Sequence, residues 1–264
     1  MVAAVVAAAG AQRGLGVDAR LHADFASKHL AEPRQVIVWL PPGYTTDTER
    51  RYPVLYMHDG QNVYLEWRID DISKPLIAAG EVEPLIVVMV ANAGTAESRA
   101  DDYTWTKPSN AKAGGKGDAY GRMLVEDLKP FIDKQYRTLP DAANTGVAGA
   151  SFGGIASLHL GVKHPEIFGR LGVMSPSVWW DDKVVIRDVR ALKARTSARI
   201  WVDVGAREGD GMRRGAKELR DALARKGWPD TDLAYYELPN GTHDEASFAK
   251  RAGDMLKFLF PARQ

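Results

Sequence analysis

The segment GASFGG at 149–154 separates two runs of opposite hydrophobic pattern. The apolar run 144–148 before it is typical of a buried strand, and the run 155–163 after it has the pattern of a helix. A serine at such a junction is raised above the sheet edge in a tight turn, the nucleophile elbow. Side chains in place of the motif glycines would collide with the backbone around this strained turn, so the sequence predicts that Ser151 is a nucleophile.

Strand-like and helix-like runs alternate along most of the chain. The predicted strands cover 35–40, 52–58, 84–91, 144–148, 170–174, 199–204 and 233–238. The predicted helices cover 66–79, 120–136, 155–163, 183–195, 211–226 and 245–260. This alternation predicts an α/β fold, with a mostly parallel, twisted sheet and helices on both faces. At 264 residues and with no internal repeat, the chain is expected to form one domain, 1–264.

Two segments do not follow the alternation. Within 1–20, a short apolar run that ends in small residues indicates either a signal-peptide remnant or a frayed terminus, although a positively charged start is missing. The first interpretation favours a periplasmic or secreted protein over a cytoplasmic one. The polar segment 92–118 is too long for a simple connection, and we expect it to form a loop beside the active site.

The composition narrows the classes of function. The chain has 35 basic and 34 acidic residues, a formal net charge of +1. No overall electric field therefore attracts nucleic acid or an anionic membrane. No apolar run is long enough to span a membrane. The absence of cysteine excludes disulfides, thiolate metal sites and a cysteine nucleophile. The expected partner is a small or extended neutral molecule, bound without a metal or cofactor, and the oligomeric state stays open.

A serine hydroxyl needs an adjacent base, and in this fold class the acid and then the histidine follow the serine along the chain. Of the six histidines, His243 alone lies well downstream, in a turn-rich segment after the last predicted strand. The acid is expected directly after the predicted strand 199–204, where Glu208 is the first choice. Asp210 is the alternative, and Asp203 is less favoured because it lies within the strand. The carboxylate would orient the imidazole and stabilise its charged form.

Hydrolysis of an acyl group also needs two backbone N–H donors for the negative charge that develops on the acyl oxygen. Phe152, which follows the serine, is expected to supply one of them. The loop after the predicted strand 52–58 is expected to supply the other, through Gln61 or, as the alternative, Gly60. Together these groups form a predicted oxyanion hole.

Aromatic residues near the same edge of the sheet are candidates for substrate contacts. Trp179 and Trp180 follow a predicted strand. Because neighbouring side chains of an extended segment point in opposite directions, we expect only one of them, Trp180, to face the cleft. Arg99, Tyr103 and Trp105, in the long polar segment, are further candidates. An aromatic wall suits a planar acyl group or the face of a sugar.

Six segments together carry a resemblance to a known family: YPVLYMHDGQNVY, RADDYT, GASFGG, SPSVWWDD, VDVGAREG and GTHDEASF. They resemble the putative-esterase branch of the α/β-hydrolases, from about residue 35 to the C terminus. That branch includes single-domain siderophore esterases, feruloyl and acetyl-xylan esterases, and S-formylglutathione hydrolases. The resemblance implies an α/β-hydrolase fold, a triad of Ser151, Glu208 and His243, and a pair, Trp179 and Trp180, that flanks the active site.

The residues predict a serine carboxylesterase that works through an acyl-enzyme. The resemblance implies feruloyl, cinnamoyl or acetyl esters of carbohydrate as substrates, with enterobactin-type siderophore trilactones as the alternative. An acyltransferase and a non-catalytic binding domain on the same fold are hypotheses from other classes. The presence of serine, acid and histidine in the expected order argues against a non-catalytic domain.

Overall fold

Eight strands of the described part of the chain form one mixed sheet. The computed structural model describes residues 14–262. Within that range the strands are β1 (Ala19–Phe25), β2 (Arg34–Trp39), β3 (Val54–Met57), β4 (Ile86–Val90), β5 (Thr145–Ala150), β6 (Arg170–Met174), β7 (Arg199–Gly205) and β8 (Leu233–Leu238). Their order in the sheet is β1-β2-β4-β3-β5-β6-β7-β8. The pairs from β4 to β8 are parallel, and β1 and β2 are antiparallel at one edge. The predicted α/β fold with a mostly parallel sheet is therefore confirmed.

Most connections between the strands are helical. Within 14–262 the α-helices are α1 (Gly60–Asn62), α2 (Ile69–Ala78), α3 (Ala96–Tyr103), α4 (Gly117–Arg122), α5 (Lys129–Gln135), α6 (Phe152–Lys163), α7 (Val184–Ala191), α8 (Asp210–Lys226) and α9 (Glu245–Leu259). Two segments of the described range are π-helical. Val63–Trp67 directly follows α1, and Met123–Leu128 joins α4 to α5. No helix in the described range is long and apolar enough to cross a bilayer.

Helices cover both faces of the sheet. One face packs against Val63–Trp67, α2 and α9, and its buried residues include Leu55 and Phe248. The other face packs against α4 to α8, and its buried residues include Tyr56 and Tyr120. Successive residues of β3 thus enter opposite cores, as expected for a strand that is buried on both sides.

The register of the parallel strands brings their carboxyl ends to one edge of the sheet. Met57 of β3 pairs with Ala148 of β5, and Ala150 of β5 pairs with Met174 of β6. Met174 in turn pairs with Asp203 of β7. The loops after β3, β5, β6 and β7 therefore lie next to one another, at the edge where open α/β sheets bind their ligands.

Two segments differ from the sequence predictions. The segment 92–118 contains α3, whose first turn is closed by a capping box between Thr95 and Ser98. The hydrophobic pattern does not predict this helix because its sequence, AESRADDY, has few apolar residues at helical spacing. The strand β1 is also not predicted, and it begins within the segment 1–20. The rest of the interpretation of 1–20 falls largely on residues outside the described range.

Candidate active site

Ser151 lies between β5 and α6 in a strained conformation. Its φ is 62° and its ψ is −118°, and residues other than glycine rarely adopt a positive φ. A Cβ at Gly149 would lie 3.0 Å from the Cβ of His58, and one at Gly153 would lie 3.2 Å from it. The His58 side chain thus leaves little room for a side chain at either position, and at Gly154 the backbone of Met174 leaves none. The Oγ atoms of Ser151 and Ser177 share a hydrogen bond of 3.0 Å.

His243 and Glu208 form a hydrogen-bonded pair at the same edge of the sheet. Nδ1 of His243 lies 2.8 Å from Oε2 of Glu208. The Glu208 side chain is fully buried, whereas 37% of the His243 side chain is exposed. Burial acts to raise the pKa of Glu208, but hydrogen bonds from His243, Ser175 and Gly205 N–H, with the charge of Arg251, hold it below its ordinary value. Because an ionised carboxylate only accepts hydrogen bonds, Nδ1 carries the proton and Nε2 is the basic nitrogen.

Asp210 and Asp203, the two alternatives to Glu208 as the acid, contact other residues and not His243. The Asp210 side chain, at the start of α8, is 93% exposed and pairs with Arg213 at 3.8 Å. Asp203 is fully buried and accepts hydrogen bonds of 2.7 Å from the Trp201 indole and from Arg251. The structure therefore pairs Glu208, and neither of these two aspartates, with His243.

The loop that carries His243 is fixed by the start of α9. Oδ1 of Asp244 accepts the N–H of Ser247 at 2.9 Å, which caps the helix. The next residue, Glu245, accepts a hydrogen bond of 2.7 Å from the side chain of Asn62 in α1. The histidine loop and the segment after β3 are thus held together.

The structure joins two of the three predicted triad residues directly. Within the described residues, the side-chain hydrogen bond of Ser151 is to Ser177 and not to His243. Ser175, two residues before Ser177, donates its hydroxyl to Oε1 of Glu208 at 2.5 Å. The loop after β6 thus contacts both the predicted nucleophile and the predicted acid. Catalytic hydrogen bonds are often long in unliganded enzymes and shorten when substrate binds.

The predicted oxyanion donors lie at the starts of two neighbouring helices. Phe152 is the first residue of α6, and Gly60 and Gln61 are the first residues of α1. The first N–H groups of a helix have no acceptor within that helix. The two starts are adjacent because β3 and β5 pair. Position 60 has no room for a side chain, since a Cβ there would overlap the backbone of Met89. The assignment of Phe152 with Gln61 or Gly60 stays a prediction.

Two residues of α3 hold the segment after β3. Arg99 donates to both carboxylate oxygens of Asp59 at 2.8 Å, and its Nη2 lies 3.3 Å from the carbonyl oxygen of Ala150. The hydroxyl of Tyr103 accepts the N–H of Asp59 at 2.9 Å. Tyr103 is fully buried, so the prediction that it contacts substrate is wrong. Its ring supports the segment from the core, while Arg99 lies beside the elbow.

His58 is a buried, neutral histidine behind the elbow. Its Nδ1 lies 2.9 Å from the hydroxyl of Tyr120, and within 14–262 its Nε2 has no hydrogen-bond partner. Burial lowers the pKa of His58 to about 4, although the neighbouring charge of Asp59 acts in the opposite direction. The imidazole therefore stays uncharged in the folded protein at neutral pH.

This burial predicts that the free energy of unfolding decreases as the pH falls from about 6.5 to about 4. The unfolded chain protonates His58 near pH 6.5, but the folded protein does so only near pH 4. The unfolded state binds more protons in this window, so stability is lost on acidification. Relative to His58→Gln, whose amide retains a bond to Tyr120, the wild type should lose about 3 kcal/mol more between pH 7 and pH 4. Urea unfolding at several pH values measures this, and parallel curves would contradict it.

A cleft of about 660 Å³ opens beside Phe152. It is lined by the start of α3, by the segment 108–113 and by the turn 179–182. Its charged side chains are those of Glu97, Lys112, Asp181 and Asp182. The cleft thus combines an aromatic wall with three carboxylates and one lysine next to the predicted nucleophile, and Arg187 pairs with two of the carboxylates, those of Asp181 and Asp182.

Both tryptophans line this cleft, although the sequence predicts that only Trp180 faces it. They lie in a turn and not in an extended segment, because the N–H of Trp180 donates to the carbonyl of Ser177 at 3.1 Å. Trp179 is 58% exposed, whereas Trp180 is 6% exposed. The Trp180 indole donates to the carbonyl of Thr106 at 3.2 Å, and its ring packs edge-on against Phe152. Trp180 thus lines the cleft as predicted, but the expectation that only one ring does so is wrong: Trp179 lines it as well and is the more exposed ring.

Trp105 does not line the cleft. Its ring stacks on that of His159, with centroids 4.0 Å apart, and its indole donates to Asp188 at 2.8 Å. These partners belong to α6 and α7. The ring thus fixes its segment to the two helices, and the expectation that Trp105 contacts substrate stays a prediction.

The sequence patterns do not indicate a role for Ser175, Ser177 or Arg251, all of which contact predicted catalytic residues. The two serines directly follow β6, and their place at the carboxyl end of a parallel strand was the available signal. Arg251 shares the buried face of α9 with Phe248 and Met255. A charged residue on the apolar face of an amphipathic helix indicates a buried partner, but the pattern does not show which one.

Comparison with known proteins gives a family match over most of the chain. Residues 27–259 match the family model named Esterase and described as "Putative esterase". The uncharacterized protein YbbA of Bacillus subtilis is 26% identical over 252 residues, which are 89% of this chain and 95% of that protein. An endo-1,4-beta-xylanase/feruloyl esterase of Xylanibacter ruminicola is 28% identical over 213 residues. These are 75% of this chain but 26% of that longer protein.

A solved structure has the same fold. The enterobactin esterase FES of Shigella flexneri, crystallised in the presence of enterobactin, superimposes with a TM-score of 0.77 at 21% identity. The match covers 94% of this chain and 59% of that chain. The α/β-hydrolase fold and the resemblance drawn from the sequence motifs are thus confirmed, and the chain belongs to the putative esterase family.

Proposed function

We propose that this chain is a serine carboxylesterase in which Ser151 is the nucleophile, His243 the general base and Glu208 the orienting acid. One observation carries the proposal: a serine in a strained elbow shares its sheet edge with a histidine that is bonded to a buried carboxylate at 2.8 Å. Membership of the esterase family supports the hydrolysis of carboxylic esters as the reaction. The hydrogen bond between His243 and Glu208 supplies the base and its orienting group in the pattern of nucleophile, base and orienting group.

The proposed reaction proceeds in two halves. Nε2 of His243 accepts the hydroxyl proton of Ser151 while Oγ attacks the acyl carbon. The N–H groups of Phe152 and Gln61 donate to the resulting oxyanion. His243 then returns the proton to the leaving alcohol, and the acyl group stays on Ser151. In the second half, His243 takes a proton from water, whose oxygen attacks the acyl carbon, and the proton returns to Ser151 as the acid leaves. Glu208 remains ionised throughout.

The residues that line the cleft favour a neutral ester substrate that contains a ring. The exposed ring of Trp179 offers a stacking face to a cinnamoyl group or a sugar. Lys112 is the one cationic side chain among the described residues that line the cleft, and Arg187 is paired with Asp181 and Asp182. The cleft therefore offers little free positive charge to a strongly anionic ligand such as an iron-bound tris-catecholate siderophore. The feruloyl esterase activity in the name of one relative points the same way. We therefore propose feruloyl, cinnamoyl or acetyl esters of carbohydrate as substrates.

A panel of esters tests this assignment. It comprises p-nitrophenyl acetate, methyl ferulate, feruloylated and acetylated oligosaccharides, and an enterobactin-type trilactone with and without iron. We expect the feruloyl or acetyl carbohydrate esters to have the highest kcat/KM, and the iron-bound trilactone to have the lowest. A highest kcat/KM for the trilactone would instead support the siderophore alternative. Acyl transfer to an added alcohol in preference to water would indicate an acyltransferase.

The exposed tryptophan gives a prediction on substrate discrimination. Trp179→Ala should lower kcat/KM for feruloyl esters by about 10-fold or more, because a stacking surface is removed, and should leave acetyl esters almost unaffected. Trp180→Ala is the matched control: its ring is buried, so its loss should lower the melting temperature. Steady-state kinetics and thermal unfolding measure the two effects. An equal loss for both ester types in Trp179→Ala would show that this ring supports the fold and does not bind substrate.

A further inference from the structure

A buried arginine lies between two carboxylates behind the proposed triad. The side chains of Arg251, Asp203 and Glu208 have no exposed surface. Nη1 of Arg251 donates to Oδ1 of Asp203 at 2.7 Å, and Nη2 lies 3.2 Å from Oε1 of Glu208. Nη2 also donates to Oγ of Ser175 at 3.0 Å. Oε1 of Glu208 is thus surrounded by donors, and Oε2 is left for His243.

The guanidinium is held on every side. Its Nε donates to the carbonyl of Ser247 in the same helix at 3.1 Å. Asp203 is itself fixed by the Trp201 indole, which donates at 2.7 Å. Arg251 cannot turn away from Glu208 without leaving a buried charge unpaired, which is strongly unfavourable. The helix that begins beside His243 therefore also carries the group that orients the acid.

The formal charges of this cluster matter for proton transfer. Burial raises the pKa of Asp203 to about 6, against the attraction of Arg251, so Asp203 is ionised at the slightly alkaline pH of an esterase assay. Two carboxylates and one guanidinium then leave one net negative charge next to neutral His243. When His243 accepts the serine proton, the whole cluster becomes neutral. Without the charge of Asp203, the same step would create a net positive charge in a buried site.

We propose that Asp203 and Arg251 are positioning residues of the triad. Arg251 fixes Glu208 with Oε2 towards His243, and Asp203 supplies the second buried negative charge, which favours the imidazolium form of His243. The effect of these two residues on catalysis rests on the proposed function. Asp203 thus acts through Arg251 and Glu208 and is not itself the acid of the triad.

Arg207, next to Glu208 in the chain, is exposed. The charged residues at the start of α9 and at the elbow have other partners: Asp244, Glu245, Asp59 and Arg99. Asp244 caps α9, and Glu245 accepts from Asn62. Asp59 and Arg99 pair with each other. The buried cluster is therefore the group whose net charge acts on His243 through its bonded partner Glu208.

An NMR titration of the His243 imidazole tests the inference without requiring activity. The signal is assigned by its loss in His243→Gln. Asp203→Asn should lower the titration midpoint by about 0.5 to 1 pH unit, because a negative charge is removed. Arg251→Gln also removes the charge that keeps Asp203 ionised, so it is judged by its kcat, which should fall. Arg251→Lys, which keeps the positive charge between the two carboxylates, should restore most of the kcat and leave the midpoint close to that of the wild type.

The controls separate this inference from the proposed function. Asp210 is an exposed carboxylate two residues after Glu208. The substitution Asp210→Asn should therefore leave the titration midpoint of His243 unchanged. With p-nitrophenyl acetate, Asp203→Asn should lower kcat by about 10-fold with KM within about twofold. An unchanged or raised midpoint in Asp203→Asn would overturn the inference. If that variant does not fold, equal losses of kcat in Arg251→Gln and Arg251→Lys would overturn it. A wild type that hydrolyses no ester would refute the proposed function, whereas the titration would still decide the charge effect.

Discussion

Ser151→Ala is expected to abolish ester hydrolysis, with kcat/KM falling by about 10⁴- to 10⁶-fold. The substitution removes a single oxygen, which in this structure bonds to Ser177 at 3.0 Å. Alanine has the same steric penalty as serine at a φ of 62°, so the backbone strain does not change. The melting temperature and the circular dichroism spectrum should therefore stay close to those of the wild type. Initial rates with p-nitrophenyl acetate, measured with purified protein, quantify the loss.

Ser177→Ala is the matched control for this prediction. It removes the other partner of the same hydrogen bond, but it leaves the proposed nucleophile in place. We expect it to retain activity within about 10-fold of the wild type. Substantial turnover by a folded Ser151→Ala variant, or an equal loss in both variants, would mean that Ser151 is not the nucleophile.

Glu208→Gln is expected to lower kcat by about 10³- to 10⁴-fold. The amide is close to isosteric, so Oε1 can still accept the bonds from Ser175 and the N–H of Gly205. It has no negative charge to stabilise the imidazolium, and an NH₂ group facing Nδ1 of His243 favours the wrong tautomer. The pH dependence of kcat, measured alongside, should show that raising the pH does not restore the rate.

Asp210→Asn serves as the control, because it neutralises a carboxylate two residues away that is 93% exposed. Its kcat should equal that of the wild type. A large loss in Asp210→Asn together with an active Glu208→Gln would transfer the role of the acid to Asp210. Such a result would also contradict the proposal that the hydrogen bond between Glu208 and His243 orients the catalytic imidazole.

The strands and most helices follow from local patterns, and for that reason they are predictable from the sequence. The buried parallel strands read as apolar runs, and the motif at 149–154 identifies the turn after β5. The strand β1 and the helix α3 are missed because they carry weak hydrophobic periodicity. Residues 34–90 and 145–238 include the other seven strands, each of which overlaps a predicted one.

The chemistry of the site is less predictable, since it depends on which side chains meet across the sheet. His243 and Glu208 can be selected by chain order, because the order of strands in this fold class fixes the edge to which each loop leads. The exposure of Trp179 depends on a turn that the sequence does not indicate. The pairing of Arg251 with Asp203 joins a helix and a strand 48 positions apart, and no local pattern specifies such a partner.

Covalent labelling is the most direct test of the central claim, that Ser151 is an activated nucleophile. A fluorophosphonate reacts with an activated serine by displacement of fluoride and leaves a stable adduct on Oγ. Intact-mass measurement of the labelled wild type should show one adduct, and peptide mapping should place it on Ser151. The Ser151→Ala protein should remain unlabelled under the same conditions. An adduct on another serine, or a folded wild type that does not react at all, would contradict the account.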